Sequence, residues 1–298
     1  MKSIKEILVC IPTYKRPETL EKLLGSLSSD KYLHEFAEIL VIDNDLNHSA
    51  RPTVDKFSEV GYLEEKVPGV SAVRTKALRA AKLHKYLAFI DDDELPSDAW
   101  LRTLHTVIKA TGADAVGGPV DFILPNNAPS WIRRGNFFDS RCIPDGFTAE
   151  LLATNNCMVR LEFLIDKNIL EFDPEFGTTG GEDSAFFHKM LDAGADFFWS
   201  NEARVIEHVV ESRLTLGWIS RRYIQNGITH ARLMLKSRSR KRVFVEGIAR
   251  LVSGFLLSVP GLAFRGTLFS IGLRRLMRGI GFCLAAAAVY THEYNHKI

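Results

Sequence analysis

The chain has 298 residues, of which 46% are hydrophobic and 25% are charged, a composition that excludes a disordered or fibrous protein. This length suits one large domain, or one domain with an appendage. The formal net charge is only +2, but the sequence from Ser212 to Ile298 holds fifteen Lys and Arg against two acids. The rest of the chain is acidic. We therefore expect two regions with different roles: a main body, and a basic C-terminal region that contacts an anionic surface.

The first 125 residues alternate apolar runs of strand type with segments of helical apolar spacing. The predicted strands span 6–12, 38–44, 61–67, 86–90 and 113–124, and the predicted helices span 18–27, 71–84 and 97–110. Such alternation predicts an α/β fold with a mostly parallel sheet covered by helices on both faces. Ligands of such sheets bind beyond the carboxyl ends of the strands.

The second half is more irregular. A loop rich in Asn, Pro, Gly and aromatic residues spans 126–147, a strand-like run follows at 151–159, and the segment 182–194 has helical spacing. Two short strands are predicted near 195–199 and 203–209. From Leu214 the pattern becomes a basic amphipathic helix.

The four cysteines (Cys10, Cys142, Cys157 and Cys283) are widely scattered. Their spacing matches neither a structural zinc site nor a disulfide framework, which favours a reducing compartment. The N-terminal sequence MKSIKEILVC leads directly into a strand, so we expect no secretory signal.

Acidic residues follow strands or begin a helix in three places: VIDND, FIDDD and GGED. In FIDDD, the two-residue period of a strand predicts Asp91 and Asp93 on one side, Asp92 on the other and Glu94 as a bystander. Two such carboxylates suit Mg²⁺ or Mn²⁺ shared with a substrate phosphate, and the cation would offset their repulsion. The alternative is a solvated acidic turn with Ser97 capping the next helix. The other two clusters also have alternatives without a functional role. Asp43 could be an ordinary turn residue, and Glu182 and Asp183 could simply favour the start of a helix.

Several motifs occur together in a familiar order: CIPTYKRPETLEKLLGSL, VIDND, SAVRTKAL, FIDDDE, GGP, TNNCMVR and GGEDSAFFHKMLDAG. In this respect the chain resembles the family 2 glycosyltransferases of GT-A fold. It is most similar to the bacterial exopolysaccharide branch that includes succinoglycan β-1,4-glucosyltransferases. The similarity runs from about Ile7 to Leu233 and includes EHVVESRLTLGWISRRYIQNGITHARL.

The resemblance implies roles for individual residues. Asp183 matches the catalytic base, Asp91 and Asp93 match the metal-binding DXD pair, and His208 lies where some relatives place a further metal or phosphate contact. The residues that match donor nucleotide contacts are Pro12, Thr13, Tyr14, Arg16, Asp43, Asp45, Arg74 and Asp92. Possible sugar or acceptor contacts are Gly118, Trp131, Asn155, Asn156 and Glu182. Asn155 and Asn156 could equally be turn or cap residues that do not contact the sugar. Trp131 could equally belong to a local hydrophobic cluster.

The chemistry of sugar transfer needs these residue types independently of the resemblance. A metal and Arg74 could neutralise a leaving diphosphate, and a carboxylate could take the proton of the attacking hydroxyl. A single displacement inverts the anomeric centre. The resemblance adds the donor, so we expect a metal-dependent inverting transferase that uses a UDP-sugar, glucose being the first choice. Nucleotidyl transfer is disfavoured because no Gly-rich, Lys-containing loop follows the first strand, and a catalytically silent nucleotide-sugar-binding scaffold is the main alternative.

The C-terminal region combines the basic run KSRSRKR (236–242) with apolar segments at 250–264 and 279–290. These segments are too short and too interrupted for confident membrane spans, and together with the basic run they indicate an interfacial anchor on anionic lipid. The alternatives are a packed helical appendage or an oligomer interface, and nucleic-acid binding is the weakest.

We expect a catalytic domain over 1–212, with a nucleotide-sugar half (1–125) and an acceptor and base half (126–212). A membrane-associating region over 213–298 would place the protein on the cytoplasmic face of the bacterial inner membrane, beside a lipid-linked or glycan acceptor.

Overall fold

The structure is a computed structural model that describes residues 4–138, 140–141, 143–150, 152–177, 179–264 and 267–288. The strands are β1 (Ile7–Thr13), β2 (Ala37–Asp43), β3 (Val60–Glu64), β4 (Tyr86–Ile90), β5 (Glu94–Pro96), β6 (Ala115–Gly117), β7 (Val120–Ile123), β8 (Gly146–Thr148), β9 (Asn156–Arg160), β10 (Phe197–Trp199) and β11 (Val205–His208). The helices are α1 (Pro17–Ser28), α2 (Lys31–Phe36), α3 (Arg51–Val54), α4 (Val70–Ala80), α5 (Trp100–Thr111), α6 (Ser130–Gly135), α7 (Leu161–Asp166), α8 (Glu182–Asp192), α9 (Leu216–Leu235), α10 (Arg240–Phe264) and α11 (Thr267–Ala286). Cys142 lies outside the described residues.

Eight strands form one sheet in the order β3-β2-β1-β4-β9-β6-β10-β8. The first four are mutually parallel, as the apolar runs predict. Strand β9 runs antiparallel to both β4 and β6, so its beginning lies at the edge where β4 ends. The carboxyl ends of β1, β2 and β4 therefore share an edge with residues 155 and 156.

Helices cover both faces of this sheet, which confirms the predicted layering. Alternate residues of β1 enter different cores: Ile7, Val9 and Ile11 pack with α1, α2 and α5, whereas Leu8 and Cys10 pack with α4, α7 and α8. All five are at most 4% exposed. A strand buried on both faces has to be apolar at every position, which explains why its sequence shows no alternation.

A second sheet of three strands has the order β5-β11-β7. The strand predicted over 113–124 is in fact divided between the two sheets, because the chain turns at Gly118. A Cβ on Gly118 would lie 2.0 Å from the backbone oxygen of Ala203. Only glycine allows this close approach, which brings β11 beside β7.

Three C-terminal helices pack on one another and on the sheet-forming part of the chain. Helix α10 packs along α11, and α11 packs along α9. Helix α9 contacts the sheet-forming part directly, since Gln225 donates to the backbone oxygen of Thr179 and Tyr223 OH donates to that of Phe137 at 3.3 Å. Within the described ranges, no helix combines the length and apolar character needed to cross a membrane. The boundary at 213 stays a prediction.

Candidate active site

The aspartate turn lies between β4 and β5. Strand β4 ends at Ile90, so Asp91 to Asp93 form a turn and the two-residue period no longer sets their directions. Asp92 is buried, and its carboxylate accepts hydrogen bonds from Thr13 Oγ1 at 2.7 Å and from Arg16 at 3.0 Å. The same Arg16 nitrogen donates to Asp93 at 2.8 Å. The prediction that Asp92 faces away from its neighbours is therefore wrong, because the strand has already ended.

Glu94 holds the shape of this turn. Its side chain is buried, with one oxygen accepting from the backbone nitrogen of Asp91 at 3.1 Å and the other from Asn155 Nδ2 at 2.9 Å. Glu94 begins β5 and lies directly opposite Glu207 of β11. The prediction that Glu94 is a bystander is wrong. The solvated-turn alternative also fails, since α5 begins at Trp100 with Ala99, not Ser97, at its cap position.

Three arginines connect the aspartates with the rest of the site. Arg16 joins Asp92 and Asp93 as described above. Arg74 is buried in α4 and forms ion pairs with Asp91, at 3.3 Å, and with Glu182. Arg213 forms ion pairs with Asp93, at 3.0 Å, and with Glu207. Each aspartate of the turn therefore has an arginine partner from a different part of the chain.

The carboxyl groups nevertheless outnumber these cations, and burial shifts their pKa values. Burial raises the pKa of Asp91 against the opposing charge of Arg74. Burial also raises the pKa of Asp92 to about 7 and that of Glu207 to about 7. The pKa of Glu94 lies well above its usual value, first because of burial and then because of the charge of Asp91. A further cation would stabilise the ionised forms.

The donor set fits a hard divalent cation. Carboxylate oxygens are the ligands that Mg²⁺ and Mn²⁺ prefer, and Mg²⁺ commonly takes only one or two protein carboxylates beside water and substrate phosphate. Among the residues that the structure describes, no group of three or more His, Cys, Asp and Glu side chains is arranged to hold a metal ion. Asp91 and Asp93 offer two carboxylates, a number that suits a cation sharing its coordination with a phosphate ligand.

The nucleotide-binding candidates lie at the ends of β1 and β2. Thr13 stands opposite Asp43 in the parallel register of these strands. The Asp43 carboxylate is buried and accepts from the backbone nitrogens of Asp45 and Ala50, at 2.9 and 3.0 Å, and from Tyr62 OH at 3.1 Å. These bonds hold Asp43 in one orientation. Asp45 is likewise buried, and Pro12 and Tyr14 are half-buried beside them.

The predicted base, Asp183, lies in the first turn of α8. It is half-buried, accepts from the backbone nitrogen of Ser184 at 2.6 Å, and its charge acts on Asp91. Gly181 precedes the helix with φ 91°, and a Cβ there would lie 2.3 Å from Thr229 of α9. A glycine at this position therefore lets the start of α8 approach α9 more closely than any side chain would allow.

Three of the predicted sugar or acceptor contacts have structural roles. Asn156 is 2% exposed. Its amide accepts from Trp100 Nε1 at 2.8 Å and donates to the backbone oxygens of Pro119 and Ala203 at 3.0 and 2.7 Å. These bonds use its polar atoms within the core, so the sugar-contact prediction for Asn156 is wrong. Gly118 allows the close backbone contact described above, and Asn155 supports Glu94.

Three other candidates lie around the site. Glu182 is buried and orients Arg74. Trp131 is half-buried in α6, with its ring centre 5.4 Å from that of Phe137, as the hydrophobic-cluster alternative proposes. His208 is exposed at the end of β11, where strand alternation turns it away from Glu207.

Glu94, Glu207 and Arg213 are the site residues that sequence reasoning missed. A signal for Glu207 was available, because it alternates with Val205 and Val209 on the buried face of a short strand. A charged residue at such a position needs a buried partner, which Arg213 provides. Arg213 itself lies in a short turn before α9 and had no distinguishing pattern.

Comparisons with known proteins agree with this architecture. The profile described as Glycosyl transferase family 2 matches residues 8–168. The succinoglycan biosynthesis protein ExoM of Rhizobium meliloti is 32% identical over 87% of this chain and 84% of its own length. The glycosyltransferase AglE of Haloferax volcanii is 26% identical over 66% of this chain and 60% of its own length.

Solved structures show the same fold. The mannosyltransferase PcManGT of Pyrobaculum calidifontis, in complex with GDP-Man and Mn²⁺, superposes with a TM-score of 0.59 at 15% identity. The match covers 96% of this chain and 75% of that one. This likeness confirms the predicted GT-A architecture.

Proposed function

The chain belongs to glycosyl transferase family 2, and from this premise we propose that it is a metal-dependent inverting glycosyltransferase of bacterial exopolysaccharide synthesis. It moves a sugar, glucose being the first choice, from a UDP-sugar to a hydroxyl of a lipid-linked or polysaccharide acceptor. The observation that carries the proposal is the aspartate turn at the ligand-binding edge of the sheet, joined by Arg74 to the helix that bears Asp183. The relative ExoM, a succinoglycan biosynthesis protein, supports the exopolysaccharide context.

The donor is held by residues of the first four parallel strands. Asp43, already fixed by three hydrogen bonds, accepts from the base, and Thr13 and Asp92 lie beside the ribose. Asp91 and Asp93 hold Mg²⁺ or Mn²⁺, which supplies Lewis-acid neutralisation of the diphosphate when bound. Arg74 adds positive charge next to the leaving group, and Glu182 keeps its guanidinium in place.

Asp183 acts on the acceptor. Its carboxylate takes the proton of the attacking hydroxyl, and attack from the side opposite the diphosphate inverts the anomeric centre. Helix α8 begins at a glycine packed against α9, which supports a defined position for the base. This arrangement reduces the entropy cost of aligning the two substrates.

The donor assignment can be tested with the purified protein and a set of nucleotide sugars. We expect UDP-glucose with Mn²⁺ or Mg²⁺ to raise the melting temperature, and the sugar or the metal alone to have a much smaller effect. When a lipid-linked glycan acceptor is added, UDP should be released fastest with the nucleotide sugar and metal that protect the protein best. Protection without any transfer would favour the binding scaffold, and protection by no nucleotide sugar would overturn the proposal.

The acceptor and the location follow from the same proposal. A lipid-linked acceptor is met at the cytoplasmic face of the inner membrane, where anionic lipid attracts a basic protein surface. The basic C-terminal helices would hold the protein there as a peripheral enzyme, and they are also the place where a homo-oligomer would form.

A further inference from the structure

The outer face of helix α10 carries a continuous row of large apolar side chains. All are at least 42% exposed: Phe244, Val245, Ile248, Val252, Phe255 and Leu256. We call this set the α10 stripe. It spans about 18 Å at the helical rise of 1.5 Å per residue. Contiguous exposed apolar surface of this kind marks an interaction site.

The other side of α10 is already occupied by α11. Val243 is fully buried, and a Cβ on Gly254 would lie only 2.6 Å from the backbone nitrogen of Leu276. The guanidinium of Arg250 lies 4.0 Å from the ring centre of Phe282. Because these positions follow one side of the helix, the α10 stripe occupies the side that α11 leaves uncovered.

A dense group of basic side chains adjoins the stripe. Residues 236–242 provide five exposed cations: Lys236, Arg238, Arg240, Lys241 and Arg242. At 100° per residue, Lys241 projects from the same side of α10 as the stripe, with Arg240 and Arg242 flanking it. Glu246 is the one acid in the sequence 236–264. The partner of this surface must therefore be both apolar and anionic.

We propose that the α10 stripe and its basic start dock on an anionic phospholipid bilayer, with α10 lying in the plane of the interface. Amphipathic helices with a basic polar border bind in this way, the apolar face entering the boundary between headgroups and acyl chains. The proposal rests on the proposed function in one respect, since it names the segment that brings the enzyme to a lipid-linked acceptor. The proposal also identifies the residues that would contact the membrane.

A second copy of the chain is the competing occupant. Lys236 and Arg238 already form ion pairs with Asp173 and Glu246, at 3.9 and 3.5 Å. Two stripes could cover each other, but each copy would also bring Arg240, Lys241 and Arg242 beside the same apolar contact, where like charges repel. An anionic bilayer satisfies both the apolar and the cationic parts of the surface. The two occupants also differ in an observable way, because only one of them depends on lipid charge.

The test is flotation of the full-length protein with vesicles of phosphatidylcholine alone or with one quarter phosphatidylglycerol. The stripe variant is Val245→Ser, Phe255→Ser and Leu256→Ser, and the charge variant is Arg240→Gln, Lys241→Gln and Arg242→Gln. The matched control is Ile4→Ser, Leu83→Ser and Ile165→Ser, which replaces three apolar side chains of the body that are at least 51% exposed. Donor and acceptor are absent, so the result does not depend on transferase activity.

We expect the wild-type protein and the control to bind the anionic vesicles at least tenfold more strongly than the neutral ones. The stripe variant should lose at least tenfold in binding to anionic vesicles, and the charge variant should lose its preference for them. Protection by UDP-glucose and metal against thermal unfolding should remain the same in all four proteins, which shows that each is folded.

Two results would overturn the proposal. One is equal flotation of the stripe variant and the wild type. The other is a wild-type dimer by light scattering that the stripe variant converts to a monomer, with no vesicle binding by either, which would assign the stripe to a second copy. Failure of donor protection in the wild type would instead count against the proposed function, so the two failures are distinguishable.

Discussion

The α/β body and the C-terminal helices place their charges differently. In the body, Asp92, Glu94 and Glu182 are at most 4% exposed, and each has a named hydrogen-bonding or ionic partner. In residues 236–242 the five basic side chains are exposed. Buried charges require partners at fixed distances, whereas exposed charges act together on a diffuse surface. Single substitutions should therefore have large effects in the body, and only groups of substitutions should affect the surface.

The largest effect is expected at the base. Asp183→Asn should lower the rate of sugar transfer by about 10³-fold, because the amide cannot accept the proton of the attacking hydroxyl. Donor binding, measured by calorimetry with UDP-glucose and metal, should change little. Asp192→Asn, at the exposed far end of the same helix, is the control and should keep wild-type turnover. Normal turnover by the Asp183 variant would refute the base assignment.

The next effect concerns the metal. Asp93→Ala should weaken metal-dependent donor binding by about 10²-fold, since it removes a proposed ligand. Chelation of the metal in the wild-type protein should produce the same loss. Asp98→Ala, an exposed acid shortly after the turn, should have no such effect. Full activity of the chelated wild-type protein would contradict the role given to Asp91 and Asp93.

A smaller effect is expected on stability. Glu94→Ala leaves the Asp91 backbone nitrogen and the Asn155 amide without an acceptor, which should cost about 2–3 kcal/mol in the free energy of unfolding. Glu94→Gln retains an oxygen for the Asp91 nitrogen and removes one of two facing carboxyl groups, so it should cost less than about 1 kcal/mol. Urea denaturation measures both values. An equal loss in the two variants would show that charge, and not hydrogen bonding, is what the turn needs.

The smallest effect is expected where the two regions meet. Arg213→Gln removes positive charge from Asp93 and Glu207, so metal alone should bind several-fold more tightly and the anionic donor several-fold more weakly. Isothermal calorimetry gives both constants. Arg221→Gln, an exposed residue of α9, serves as the control. A change of the same sign in both constants would exclude this electrostatic account.

Strand existence could be predicted from the sequence for most of the main sheet, but strand direction only for its first four strands. The apolar runs of β1, β2 and β4 indicate a sheet buried on both faces, and the structure confirms it. The run that became β9 is apolar only at its centre, Cys157 to Val159, and nothing in its composition distinguishes an antiparallel strand from a parallel one. Only its pairing with β4 and β6 determines the direction.

Side-chain directions near the site depended on where a strand ends. The pattern of FIDDD predicts alternation, but the last strand residue is Ile90, and element boundaries are the least certain part of sequence reasoning. Asn156 shows a second limit. Its three hydrogen bonds reach Trp100, Pro119 and Ala203, which are distant in the sequence, so no local pattern could distinguish a core amide from a sugar contact.

The contact between Gly181 and Thr229 bears on how such enzymes can be recombined. The matched profile ends at residue 168, yet the helix that carries Asp183 begins against a helix some fifty residues further on. A chimera joined at residue 212 would pair one protein's glycine with another protein's α9, where a bulkier side chain at position 229 would displace the start of α8. Exchange of acceptor-side segments among relatives should therefore succeed when the junction follows Leu235, so that α8 and α9 are inherited together.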